Sequence, residues 1–145
     1  MLIVQHSTGP SKIHGTGVFC NEKVKKTQLV WVYDETVDEE IGIEDLLSMP
    51  EPVVNMFMRH ACYVKHRQTF VMGLDGDYFM NHSDNPNLFD DGRYMYAARD
   101  IEPGDELTCD YRTVIVVAYD PVSGRAHAKD LSDFHRIIST EQADE

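Results

Sequence analysis

Apolar positions along this chain come in short runs, each cut off within a few residues by glycine, proline, asparagine or aspartate. Runs of that length, rich in Val, Ile, Phe and Tyr, read as strands. The pattern predicts strands over residues 2–6, 17–20, 29–33, 61–64, 68–72, 93–98 and 113–119. Two stretches carry helical signals instead. Pro52 suits the first turn of a helix over residues 53–59, where a missing amide hydrogen costs nothing, and Asp130 or Ser132 can cap a helix running to Ile138. Residues 43–49 read as a short helical turn ahead of Pro50. Many short strands with small helices imply a compact, mainly β member of the α+β class.

No repeat, low-complexity tract or flexible linker divides the 145 residues, so one domain is expected, with residues 140–145 as a disordered tail. No apolar run approaches the roughly 18 residues that a membrane helix needs. The opening Met-Leu-Ile-Val is too short for a signal segment and no basic stretch precedes it, so an intracellular protein is expected, in the cytoplasm, nucleus or nucleoid. Three scattered cysteines, Cys20, Cys62 and Cys109, fit reduced thiols better than a disulfide framework or a zinc knuckle, and no metal is expected. A net charge of −12, from 25 acids against 13 Lys and Arg, repels phosphates and attracts basic partners. The same acidity also serves plain solubility.

Three motifs carry candidate chemistry. The first is Lys12-Ile13-His14-Gly15-Thr16-Gly17-Val18-Phe19, a GxG leading into an apolar strand. Glycines there suit either a tight turn or a backbone loop that a ligand approaches closely. The second is Asn81-His82-Ser83-Asp84-Asn85-Pro86-Asn87, where an amide and an imidazole can read the edge of a purine, or where the Asx residues merely build turns. The third is Glu102-Pro103-Gly104-Asp105-Glu106-Leu107-Thr108-Cys109-Asp110-Tyr111: a Pro-Gly turn, an extended segment restarting at Glu106, then Asp-Tyr. A further cluster, His60-Ala61-Cys62-Tyr63-Val64-Lys65-His66, has the residue types of a metal hydrolase but no activating carboxylate attached to it.

Taken in order, the GxG strand, NHSxxPN and PGxELTxDY resemble the signature motifs of SET-domain protein-lysine methyltransferases, over about residues 10–112 and closest in kind to small free-standing members from bacteria and viruses. The resemblance implies small curved sheets with a C-terminal pseudoknot, in which the NHS and ELTxDY segments pass through each other's loop. It implies a SET core over residues 1–112 and an extension over 113–145 that takes the post-SET position without zinc cysteines.

The same resemblance implies S-adenosylmethionine as cofactor, lined by His14, Gly15, Thr16 and Gly17 and held by Asn81, His82 and Tyr111. Tyr111 matches the family's catalytic tyrosine, and Tyr33 the tyrosine that walls the lysine channel. Cys109 stands where many relatives carry Phe or Tyr, which leaves room for di- or trimethylation, and Tyr119 or Phe134 can close the channel. The implied substrate is a lysine on a basic, histone-like protein, with no direct contact to nucleic acid or membrane; a homodimer is one open assembly state. The alternative is a non-catalytic SET-like module that holds basic tails. Lys23, Lys25 and Lys26 read as a solvated charged turn, or as a self-methylated loop.

Overall fold

A computed structural model describes residues 1–64, 67, 69–91, 93–111, 119–120 and 125–126. Among the described residues the architecture is mainly β, built from small sheets with two short α-helices. The central sheet runs β1 (His6–Pro10), β2 (Thr16–Cys20), β10 (Glu106–Cys109), β7 (Asn81–His82). β1 and β2 form a hairpin in register His6↔Cys20 to Pro10↔Thr16. The second sheet is ordered β3 (Leu29–Val32), β9 (Tyr94–Ala97), β8 (Leu88–Asp90), and the third β4 (Asp38–Gly42), β6 (Thr69–Gly73), β5 (Cys62–Val64). β11 (Tyr119–Asp120) pairs with β12 (Arg125–Ala126). Among the described residues no helix is long and apolar enough to cross a membrane.

One core cluster fills the space under the first two sheets, with Val18, Val24, Val30, Leu88, Ile101 and Leu107 wholly or almost wholly buried. A second packs Leu46, Val54, Phe57 and Phe70 between the third sheet and the helices α1 (Ile43–Leu47) and α2 (Glu51–His60). Pro52 falls in the first turn of α2 as expected, and Pro50 caps it, since a proline-led turn has no amide hydrogen to leave unpaired. At the other end, the Ala61 amide donates to Phe57 O at 2.8 Å.

The strand expected over residues 2–6 is a correction. Leu2 and Val4 are buried, but Leu2 only bridges to Trp31, and the Ile3 amide donates to Val30 O. The paired strand is His6–Pro10, mostly exposed and polar, because the partner on β2 rather than apolar content decides which backbone is bonded. Pro10 ends that strand, where its lack of an amide hydrogen is tolerated. Strands β4, β7, β8 and β12 lie outside the predicted list, and β10 matches the extended segment expected to restart at Glu106. Residues 113–118 of the last predicted strand and the helix expected over residues 130–138 lie outside the described residues.

Candidate functional site

The first half of the site is the turn between β1 and β2. The Ser11 amide donates to Gly15 O at 2.8 Å, and the Ser11 hydroxyl oxygen accepts from the amides of Ile13 and His14 at 2.9 and 3.2 Å. A serine hydroxyl that takes two successive backbone amides closes a compact turn without sheet pairing. Gly15 completes it at φ +49, a left-handed conformation that disfavours a side chain, with open space beside its Cα.

The second half is built where β7 lies parallel to β10, with Thr108 opposite Asn81 and Cys109 opposite His82. Parallel neighbours require a long connection. Here it is residues 83–105, which run out through β8 and β9 before β10 returns between β2 and β7. Asn87 fastens that return. Its buried side-chain amide donates to Glu106 O at 2.8 Å and accepts from the Thr108 amide at 2.8 Å, so one asparagine substitutes for a neighbouring strand. The Ser83 amide adds a bond to Cys109 O at 3.1 Å.

Asn81 is buried, and its Nδ2 lies within reach of three acceptors: His14 O at 3.0 Å, Thr16 O at 3.2 Å and Glu106 Oε1 at 2.8 Å. Its two amide hydrogens are therefore spent on the β1–β2 turn and on β10. What it leaves for a ligand is its main chain and its carbonyl oxygen. The His82 ring is similarly committed: Nδ1 accepts the Tyr111 amide at 3.2 Å and Nε2 faces Asp84 Oδ1 at 3.3 Å, an arrangement that puts the proton on Nε2. Asp110 Oδ1 stands 3.7 Å from Nδ1.

Tyr111 is half-buried against the main core cluster, its ring 5.5 Å from that of His82, and its hydroxyl donates to Met80 O. With its hydrogen directed into that carbonyl, the phenol oxygen is oriented as an acceptor. Cys109 is buried at the end of β10, and burial pushes its thiol well above the ordinary range, so it stays protonated and inert.

Tyr33, just past β3, packs against the same core cluster. Its amide donates to Arg93 O at 3.0 Å and the Arg93 guanidinium lies over its ring at 5.4 Å. Burial first, and then the Glu40 carboxylate, raise its phenol above the usual value. Glu40 itself is raised by burial, but the Thr69 and Arg67 hydrogen bonds at 2.7 and 2.8 Å outweigh that and hold it below the carboxylate norm.

Tyr119 opens β11, and Phe134 lies outside the described residues. Of the residues in the metal-hydrolase cluster, the His60 ring meets the edge of Tyr78 at 5.5 Å, Cys62 starts β5, and His66 lies outside the described residues. Lys23 and Lys25 form ion pairs with Glu102 and Asp100 at 2.7 and 3.2 Å, as a solvated charged turn does. Ser11, Glu106 and Asn87 are the positions whose roles sequence reasoning missed. Ser11 ahead of a Gly-containing turn and the second Asn of Asn85-Pro86-Asn87 were the available signals.

Asp77, in the 3₁₀ turn Asp77–Phe79 that leads into β7, accepts the Trp31 indole hydrogen at 2.6 Å while its other oxygen is buried without a partner. Burial first, then the Asp75 carboxylate, push it up to about 6, with Asp38 adding to the rise and Trp31 and the N-terminal amine opposing it. A carboxyl whose folded pKa lies above its unfolded value binds protons better when folded, so its contribution to stability falls as pH rises from about 4 to about 6. The cost above that window is on the order of 2–3 kcal/mol. Asp77→Asn keeps an acceptor for Trp31 and is expected to raise Tm at pH 7.5 and to flatten the Tm profile between pH 4.5 and 7. A profile identical to wild type contradicts the assignment.

The sequence matches the SET domain family over residues 15–112. Among solved structures, a candidate histone methyltransferase of Plasmodium falciparum superposes with TM-score 0.53 at 22% identity, over 74% of this chain and 93% of that one. The ctPRC2 structure in an autoinhibited conformation bound to S-adenosylmethionine superposes with TM-score 0.58 at 17% identity, over 74% of this chain and 15% of that one. The methyltransferase domain of the human histone-lysine N-methyltransferase SETMAR gives 0.53 at 20% identity, over 76% of this chain and 45% of that one. At such identities the likeness is one of fold.

Proposed function

This chain belongs to the SET-domain family, and we propose that it transfers a methyl group from S-adenosylmethionine to the side-chain amine of a lysine in a basic protein. The observation that carries this reading is the joint between β7 and β10, where one short segment fixes the His82 ring and another delivers the Tyr111 phenol against Met80 O. The donor set suits a sulfonium compound: a phenol oxygen and main-chain carbonyls are the electron-rich atoms that a polarised methyl seeks. Open space over the Gly15 backbone leaves room for a ligand beside the turn. On this reading His14, Gly15, Thr16 and Gly17, with the main chain of Asn81 and His82, hold the cofactor, which when bound supplies an electrophilic methyl group.

The protein's own task is positioning. Tyr111 accepts weak CH···O contacts that aim the methyl, and Tyr33 with Tyr111 walls the approach of the amine. A free lysine of pKa about 10.4 is neutral only about 0.04% of the time at pH 7, a cost near 4.6 kcal/mol. Aromatic walls that strip water from the ammonium, beside a positive sulfonium, lower that pKa, and the proton leaves through water, so no side chain is assigned as a base. The −12 charge favours a basic substrate of the histone-like kind. Incubation of the protein with isotopically labelled S-adenosylmethionine and a cell extract, followed by peptide mass spectrometry, is expected to find label on lysine. Cofactor binding with no transfer to any protein overturns the enzymatic reading and leaves a binding module.

Cys109 precedes Tyr111 by two residues and is small, so the wild type is expected to yield di- or trimethyl-lysine. Cys109→Phe fills that space and shifts the product towards monomethyl, with about 1–3 kcal/mol of stability lost to overpacking. Only monomethyl product from the wild type, unchanged in Cys109→Phe, contradicts this.

A further inference from the structure

Glu106 opens β10 and is half-buried, with its carboxylate pointed at the β1–β2 turn rather than at solvent cations. Among the described residues no lysine or arginine forms an ion pair with it. Its Oε1 accepts from the Ser11 hydroxyl at 2.8 Å and from Asn81 Nδ2 at 2.8 Å, and its Oε2 lies 2.9 Å from the same hydroxyl. The Ser11 oxygen has one hydrogen, and it already accepts the Ile13 and His14 amides. That hydrogen must find an acceptor, and the carboxylate, which can only accept, is matched to it. Asn81, fixed by the same carboxylate, holds His14 O and Thr16 O from the other side. Every one of these bonds converges on residues 11–16.

A second observation is independent of these bonds. A β-carbon built on Gly17 would run into the Glu106 carboxylate, so the second glycine of the GxG leaves the seat that this side chain occupies. The β2 glycine and the β10 acid fit as a pair.

We infer that Glu106 is a positioning residue for the methyl donor: through Ser11 and Asn81 it sets the shape of the 11–16 turn. It acts on cofactor affinity and not on the transfer step. This rests on the proposal that the turn binds S-adenosylmethionine. A geometry fixed from outside in this way lowers the ordering cost of binding, and its loss appears in the cofactor's Kd and KM while kcat at saturation is largely kept.

The test combines amide hydrogen exchange without ligand, calorimetric titration with S-adenosylmethionine, and steady-state kinetics. Glu106→Ala is expected to speed exchange at Ile13 and His14 and to raise Kd and KM for the cofactor about 10- to 100-fold, with kcat within about threefold of wild type. Glu106→Gln, which keeps one acceptor, falls between. Gly17→Ala displaces the carboxylate and repeats the Glu106→Ala phenotype, and the double variant is no worse than Gly17→Ala alone, because residues that act as one unit are not additive. Unchanged exchange in Glu106→Ala, an unchanged Kd, or fully additive Gly17 and Glu106 effects each overturn the positioning role while the binding reading stands. A wild type that binds no S-adenosylmethionine overturns that reading and the role with it.

Discussion

Replacing Tyr111 by phenylalanine is expected to leave a folded protein that binds S-adenosylmethionine about as well as wild type, yet transfers methyl groups roughly 100-fold more slowly. The ring remains packed against the core, and the backbone bond from the Tyr111 amide to His82 Nδ1 does not involve the hydroxyl. What goes is the phenol oxygen proposed to aim the methyl, together with its bond to Met80 O. The unpaired carbonyl costs about 1–3 kcal/mol of stability, which a domain of ordinary stability tolerates. Single-turnover transfer to a lysine peptide, read beside a calorimetric Kd, separates the two effects. A variant as fast as wild type removes Tyr111 from the chemistry, and one that has lost cofactor binding makes it a binding residue instead.

Asn87→Ala is expected to be the most damaging single change to the fold. Asn87 is 5% exposed, and its amide is the partner of both Glu106 O and the Thr108 amide. Truncation leaves a donor and an acceptor buried and unpaired, at about 1–3 kcal/mol each, so a loss of roughly 2–6 kcal/mol is expected. That is a large share of the 5–15 kcal/mol typical of a whole domain. Asn87→Asp keeps the acceptor for Thr108 but sets a carboxylate against the Glu106 carbonyl, and Asn87→Gln carries both groups one methylene too far. Both should be nearly as harmful. Urea denaturation followed by tryptophan fluorescence measures this, since Trp31 is in the core cluster that also holds Leu88 and Leu107, the chain neighbours of Asn87 and Thr108. A loss under 1 kcal/mol in Asn87→Ala contradicts the role given to it.

Both expectations arise at a joint that the sequence announces only in part. Helix α2 could be read because Pro52 marks its first turn, and β2, β3, β6 and β9 because each is a run of large apolar residues between breakers. β4 was hidden by its acids. Asp38 is buried there and accepts the Asp34 amide at 2.8 Å, and Glu40 is tied to Arg67 and Thr69, pairings that composition does not show. β7 has two residues, too few for any period to appear. The order of the three motifs pointed to the site, and the structure does bring residues 14–17, 81–82 and 106–111 together.

The use of individual atoms stayed out of reach. That Asn81 spends its hydrogens on His14, Thr16 and Glu106, or that Ser11 bonds a residue 95 positions away, follows from long-range pairing and from no local pattern. Residues that looked like ligands by type proved to be partly framework. Residues that looked like strand or turn, Glu106 and Asn87, hold the framework together.

The proposed site places the turn at residues 14–17, the Asn81-His82 segment and the Tyr111 phenol around a single molecule of S-adenosylmethionine. A crystal structure of the protein with S-adenosylhomocysteine tests it most directly. The expected density lies against the main chain of His14, Gly15 and Thr16 and of Asn81 and His82, with the sulfur facing the Tyr111 hydroxyl. Density elsewhere on the molecule, or a sulfur turned away from Tyr111, contradicts the account.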